Sequence, residues 1–252
     1  MSMTRRGIMR SALSIAVLML AVGGMGAFRP QEEDVDVVRT QQGELRIRPI
    51  THGSLMLEFR GRVIHVDPWS RGNYAGLPKA DLILITDIHP DHMDRAMVDQ
   101  LKKETTVILA PAAVAETIRE AQIIRNGERK TIGEITVEAV PMYNLVRGPS
   151  PGQLYHTKGR GNGYVLTLGG KRIYISGDTE CVPEIKALKE IDIAFICMNL
   201  PFTMPPEEAA ECVKAFRPKV VYPYHYRNSD LNVFVDALKG EGGIEVRLRK
   251  WY

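Results

Sequence analysis

Leu82-Ile83-Leu84-Ile85-Thr86 runs directly into Asp87-Ile88-His89-Pro90-Asp91-His92, so an apolar run ends in four candidate metal ligands within six residues. A short continuous apolar run closed by a proline turn reads as a strand that delivers these ligands to a tight turn. Asp87 and His89 are two apart and aim the same way from a strand end, while Asp91 and His92 reach forward from the turn. Two of the chain's six histidines fall in this one segment. Carboxylate oxygens mixed with imidazole nitrogens suit a borderline divalent cation.

Three further candidates follow at strand ends or in glycine-rich loops: His156 in Tyr155-His156-Thr157-Lys158-Gly159-Arg160-Gly161-Asn162-Gly163, Asp178 in Gly177-Asp178-Thr179, and His225 in Tyr222-Pro223-Tyr224-His225. Their order and spacing resemble the metallo-β-lactamase superfamily, whose hallmark is His-x-His-x-Asp-His followed by a distant His, an Asp and a final His. Asp87 departs from it, standing where that family carries its first His. The resemblance spans residues 44–252. Met142-Tyr143-Asn144, Gly161-Asn162-Gly163-Tyr164, Gly177-Asp178-Thr179 and Phe202-Thr203-Met204 with the following Pro205-Pro206-Glu207-Glu208 resemble the branch that includes ascorbate-6-phosphate lactonase.

The resemblance implies a four-layer αβ/βα sandwich and a metal-dependent hydrolase acting through a metal-activated water. It implies two divalent ions, one held by Asp87, His89 and His156, the other by Asp91, His92 and His225, with Asp178 bridging. Asp91 takes a second role as the catalytic group that orients or deprotonates water. Zinc leads, with manganese or iron admitted because Asp87 adds a negative, harder ligand; a single ion at the second site is the alternative. His52 is implied at the rim, Asp67 behind a ligating His, where a carboxylate fixes the tautomer, and Asn162 in the pocket or its supporting layer. Arg147, Lys158 and Arg160 are candidates to hold an anionic substrate group, with solvated loop charges as the equal alternative. The expected substrate is a small-molecule ester, lactone or phosphodiester. An exported β-lactamase is the runner-up, weakened because those enzymes usually carry Cys or Ser where this chain has Asp178. A phospholipase-like hydrolase and a non-catalytic metal-binding domain stay open.

Length and composition fit this frame. The 252 residues, 44% hydrophobic, are enough for one large core or two small ones, and with nothing that looks like a linker one domain is expected after the leader. Residues 1–27 carry Arg5, Arg6 and Arg10, then an apolar run and small residues to Ala27. That is the build of a signal peptide, with a twin-arginine look. Export to a periplasmic or extracellular site is expected, an uncleaved anchor being the competitor. No stable membrane span is expected in the mature form. The division is thus a leader (1–27), an N-terminal extension (28–43) and the catalytic domain (44–252). The three leader arginines account for the whole formal charge of +3, so the remainder is neutral and no nucleic-acid partner is expected. Homo-oligomer formation is left open. Cys181, Cys197 and Cys212 match no disulfide or zinc framework; Cys197 reads as core and Cys181 as a helix-start residue.

From Glu44 the pattern is a strand meander: Leu45–Ile50, Ser54–Phe59 and Arg62–Asp67, then the strand 81–86. Helices are expected over Met93–Lys103 and Pro111–Glu120, flanking a strand at Thr106–Leu109. After two short strands within Glu128–Val140, a Gly/Pro-rich loop runs from Met142 to Gly163, long enough to expect a functional role. Strands Tyr164–Leu168 and Lys171–Ser176 then pair through Gly169-Gly170. Strand-helix alternation follows through Ile191–Cys197, Pro205–Phe216, Val220–Tyr222, Leu231–Leu238 and Ile244–Arg249. Strands followed by strand-helix units in each half suit the two sheets with helices outside that the resemblance implies.

Overall fold

A computed structural model describes residues 35–252; the leader expected at 1–27 lies outside them. Two seven-stranded sheets follow one another along the chain. The first holds β1 (Asp36–Thr40), β2 (Gly43–Thr51), β3 (Ser54–Phe59), β4 (Arg62–Val66), β5 (Ala80–Leu84), β6 (Lys102–Ala110) and β7 (Gln122–Ile123) in spatial order. The second holds β8 (Arg129–Ile132), β9 (Ile135–Met142), β10 (Gly161–Leu168), β11 (Lys171–Ile175), β12 (Ile193–Cys197), β13 (Val220–Tyr224) and β14 (Glu245–Val246), also in spatial order. Each sheet begins as an antiparallel meander and becomes parallel, from β4 in one and β11 in the other.

Side-chain alternation explains the layers. In and just after β5, Leu82 and Leu84 point into the core between the sheets, while Ile83 and Ile85 point outward. The outer pair packs with Val98 of helix α1 (Arg95–Leu101) and Val114 of α2 (Ala112–Ala115). A parallel strand covered on both faces needs this double apolar pattern. The inter-sheet core joins Leu57 and Phe59 of the first sheet to Val137 and Ile173 of the second. Beyond the second sheet lie α3 (Pro183–Lys186), α4 (Pro206–Phe216) and α5 (Leu231–Ala237), with Ala209, Ala210, Val213 and Phe216 of α4 facing inward. Four layers result, as the resemblance implies.

Several boundaries differ from the sequence reading. The sheet begins at Asp36, inside the segment expected as an extension, because β1 pairs with β2 from Asp36↔Ile47 to Thr40↔Gly43. α1 starts at Arg95, its cap Asp94 accepting from the Met97 N–H, and it ends where the chain turns into β6 at Lys102. The helix expected over Pro111–Glu120 is only Ala112–Ala115; beyond it, turn bonds from Thr117 and Ile118 to the Val114 carbonyl bring Ile118 into the core. The β10–β11 hairpin closes through Gly169-Gly170 as expected, both glycines at positive φ (55° and 81°), which a two-residue turn of this hand requires.

The cysteines are a correction. Cys181 and Cys212 form a disulfide across 31 residues, with Cα atoms 5.5 Å apart, tying the segment before α3 to α4. Their spacing carries no signal, because only the packing of those elements brings them together. Cys197 is buried and free. Reduction, or Cys212→Ala, is expected to lower unfolding free energy by about 2–4 kcal/mol, since a cross-link restricts the unfolded chain; denaturant titration with and without reductant checks this.

The chain end closes the fold. Arg249 holds Asp36 through two hydrogen bonds (2.6 and 2.8 Å), and the Tyr222 hydroxyl adds a third at 2.8 Å. Burial raises the Asp36 pKa, but these partners outweigh it and the net direction is down. Its stabilisation is therefore present above the unfolded carboxylate pKa and lost as pH falls through the lower folded value. Asp36→Asn is expected to flatten the acid limb of a stability-versus-pH curve; an unchanged limb would refute the assignment.

Candidate metal centre

Strand ends deliver the site. Asp67 follows β4, Asp87 to His92 follow β5, Asp178 follows β11, Asn199 follows β12 and His225 follows β13. All sit past the carboxyl ends of parallel strands, the place where open α/β sheets bind ligands. His52 comes from the β2–β3 turn and His156 from the loop Tyr143–Arg160. Five of the chain's six histidines thereby meet; the sixth, His65, is buried elsewhere and donates to the Pro78 carbonyl.

Asp178 lies at the centre. One carboxylate oxygen is 3.4 Å from His92 Nε2 and 3.5 Å from His156 Nε2; the other is 3.3 Å from His225 Nε2. Asp91 Oδ2 is 3.4 Å from His225 Nε2 and 4.0 Å from His92 Nε2. Each of those three Nε2 atoms, together with Asp178 Oδ1, is buried without a hydrogen-bond partner among the described residues. Buried polar atoms without partners are costly and rare, and here several converge. A cation with bonds of about 2.0–2.2 Å holds neighbouring ligands roughly 3–3.5 Å apart, so this donor set fits a divalent metal.

Supporting groups fix which nitrogen faces the centre. Asp67, fully buried, accepts from His92 Nδ1 (2.8 Å), from the Thr86 hydroxyl (2.6 Å) and from the Thr86 N–H (2.7 Å). His92 must then present Nε2. Asn144 does the same for His156, its Oδ1 accepting from Nδ1 at 2.7 Å while its amide donates to Glu180 and to the Phe202 carbonyl. His52 donates from Nε2 to Asp91 at 3.0 Å, and the Tyr252 hydroxyl meets its Nδ1 at 2.5 Å. His52, Asp67 and His225 adopt left-handed φ of 51°, 44° and 48°, a strain often stored at functional sites. A Cβ on Gly53 would meet the His225 ring at 3.0 Å, so any side chain there would press on that ring.

The electrostatics ask for positive charge. Burial opposes ionisation of Asp178 and Asp91, yet the close imidazoles, with a hydrogen bond from His52 to Asp91, hold both well below the usual carboxylate range. Burial disfavours protonated His92, but Asp178 and Asp67 drive its pKa well up. His52 and His156 go the other way, to about 4, chiefly through burial. A divalent ion held there would supply the positive charge that the Asp178 and Asp91 carboxylates call for, with His92 giving up its proton to bind it.

Asp87 has its own partner. Arg160 donates to both its oxygens, at 3.1 and 3.0 Å, while His89 Nδ1 lies 2.8 Å and His156 Nε2 3.8 Å away. Asp87, His89 and His156 form one compact donor group. Burial would raise the Asp87 pKa, but the hydrogen bond from His89 and the nearby imidazoles bring it down to about 2.

The three basic residues offered for substrate are all engaged. Arg160 holds Asp87, Arg147 pairs with Glu180 (3.3 Å) and Glu208 (2.8 Å), and Lys158 pairs with Glu184 (2.6 Å). They hold the long loop in shape. Asn162 lies behind the centre, donating to the Ile124 carbonyl and accepting from Asn126. Asn144, Glu180, Asn199 and Tyr252 were not singled out as site residues in the sequence reading. Met142-Tyr143-Asn144 stands out in sequence, but nothing local shows that Asn144 would orient His156 from 12 residues away.

With this geometry in place, the comparisons give the family. Residues 46–225 match the β-lactamase superfamily domain, and the chain belongs to the metallo-β-lactamase superfamily as one of its metal-dependent hydrolases. A UPF0173 metal-dependent hydrolase of Thermococcus onnurineus is 31% identical over 191 residues, covering 72% of this chain and 84% of that protein. A solved structure from Parabacteroides distasonis, described as a metal-dependent hydrolase, is 43% identical with a TM-score of 0.82, covering 87% of this chain and 99% of that one. Igni18, a metallo hydrolase of Ignicoccus hospitalis, shares the fold at 23% identity and a TM-score of 0.68, over 82% of this chain and 95% of its own.

Asp67→Asn removes the charged acceptor that fixes His92. Metal affinity, measured by competition with a chelating dye, is expected to fall roughly 10- to 100-fold with the circular dichroism spectrum retained. Unchanged affinity would show that Asp67 serves only the fold.

Proposed function

We propose that the protein hydrolyses an ester, lactone or phosphodiester bond in a small molecule. One observation carries this reading: the unpartnered donor atoms of His92, His156, Asp178 and His225 converge beside an open cleft of about 220 Å³. Divalent cations held there would acidify water and polarise the bond under attack.

The protein's own groups do the rest. Asp91 lines the cleft and stays ionised through the neutral range, so its Oδ2, steadied by His52, accepts a hydrogen bond from attacking water and aims it. Neutral His52 keeps its Nε2 proton on Asp91, since its Nδ1 accepts from the Tyr252 hydroxyl. Tyr155 and Phe202, packed edge to face with centroids 5.0 Å apart, wall the cleft and shield it from bulk water.

The donor sets support a reading with two unequal metal sites. Asp91, His92, Asp178 and His225 would hold the tighter ion. Asp87, His89 and His156, with Asp178 near both groups, would hold a weaker one, because Asp87 already has Arg160 on both oxygens. Zinc suits the imidazole-rich set, with manganese or iron at the site holding Asp87. Location outside the cytoplasm is part of the same reading, supported by the leader and by the Cys181–Cys212 disulfide, which persists in oxidising compartments. No helix among the described residues is long and apolar enough to cross a membrane.

A panel of esters, lactones and phosphodiesters, run with zinc, manganese and iron, tests the reading. Turnover is expected to vanish on chelation, to return with metal, and to fall by at least about 100-fold in Asp91→Ala, in line with the loss of a group that acts on the proton of the nucleophile. A metal-loaded wild type inert across the panel would make this a binding domain.

A further inference from the structure

Carboxylates occupy Arg147, Lys158 and Arg160, which leaves two guanidiniums beside the cleft. Arg227, two residues past His225, lines the metal cleft and also a neighbouring basin of about 350 Å³. His52, Trp69, Arg71 and Tyr252 line that second basin with it. Among the described residues neither arginine side chain has an ion-pair partner. Arg71 lies over the Trp69 ring, 5.0 Å from its centroid. Arg227 is held only at its base: its φ is 42° and its N–H donates to the Tyr252 hydroxyl at 2.8 Å. That hydroxyl also meets His52, which holds Asp91.

The second basin therefore adjoins the catalytic cleft, the two sharing Arg227 as a lining residue, and carries two unpaired positive charges beside a flat aromatic face. A planar guanidinium with a fixed base and a free fork matches a carboxylate or phosphoryl group. An anion placed there would share its lining with Arg227 and with the Arg71–Trp69 stack.

We propose that this basin is an anion subsite: Arg71 and Arg227 hold a carboxylate or phosphoryl group of the substrate while the bond to be cleaved lies over Asp91, Asp178 and His225. The proposal rests on the hydrolase reading for that second half; the subsite itself can be tested without turnover.

Calorimetry on the metal-loaded full chain would compare propanoate, which offers one anionic group to the metals, with succinate, glutarate and 3-phosphonopropanoate, which offer a second. At least one of the latter is expected to bind about tenfold tighter than propanoate or better, as a charge-assisted guanidinium pair contributes. The tighter of the carboxylate and phosphonate arms identifies the group. Arg227→Ala and Arg71→Ala should each shrink the advantage and the double variant should remove it, with metal content and circular dichroism unchanged; Arg227→Lys should keep part of it. Equal binding of all four probes, or a preference that survives the double variant, would overturn the subsite. A wild type that hydrolyses nothing yet keeps the preference loses the catalytic reading alone, whereas turnover without the preference loses the subsite alone.

Discussion

Asp178 stands among three imidazoles, each with its Nε2 within 3.5 Å of a carboxylate oxygen, and none of those Nε2 atoms has a hydrogen bond. Such atoms cost on the order of 1–3 kcal/mol each when buried unpaired, so a fold that assembles them relies on a cation to satisfy them. Asp178 and His225 come from the second sheet and His92 from the first, which makes this cluster a clamp between the two halves. The left-handed turns at His52 and His225 and the glycine at position 53 allow the approach.

Around that point the protein spends its buried polar groups on orientation. Asp67 and Thr86 set His92, Asn144 sets His156, and His52 sets Asp91. The chain end takes part: the Trp251 carbonyl accepts from the His52 N–H, and His225 N–H donates to the His52 carbonyl. The last two residues thus hold the turn that holds Asp91. Glu180, buried, draws the N–H groups of Leu145, Val146 and Arg147 onto itself and keeps the start of the long loop against the site.

Asp87 gains a physical context. Its charge is met by the Arg160 guanidinium, so the pair carries the same formal charge as the neutral imidazole the superfamily pattern has at that position. The two residues are 73 apart in sequence, and Arg160 alone looks like any loop cation. The same pairing engages Arg160, whereas Arg227 and Arg71 have no ion-pair partner among the described residues. These lie on short turns with no motif to mark them.

The sequence alone, through apolar periodicity and the family resemblance, determined the sandwich and named the His and Asp side chains that the fold brings together, because they fall just beyond strand ends. It also marked the long loop as more than a connection. Tertiary structure decided what depends on distant partners: the Cys181–Cys212 bond, the truncation of the helix after Pro111, the tautomer of His156 through Asn144, and the engagement of Arg147, Lys158 and Arg160 by acidic residues. A residue's type and neighbours state what it can offer a ligand. Whether that offer is already taken depends on which side chain the fold sets within about 3 Å of it, the reach of a hydrogen bond.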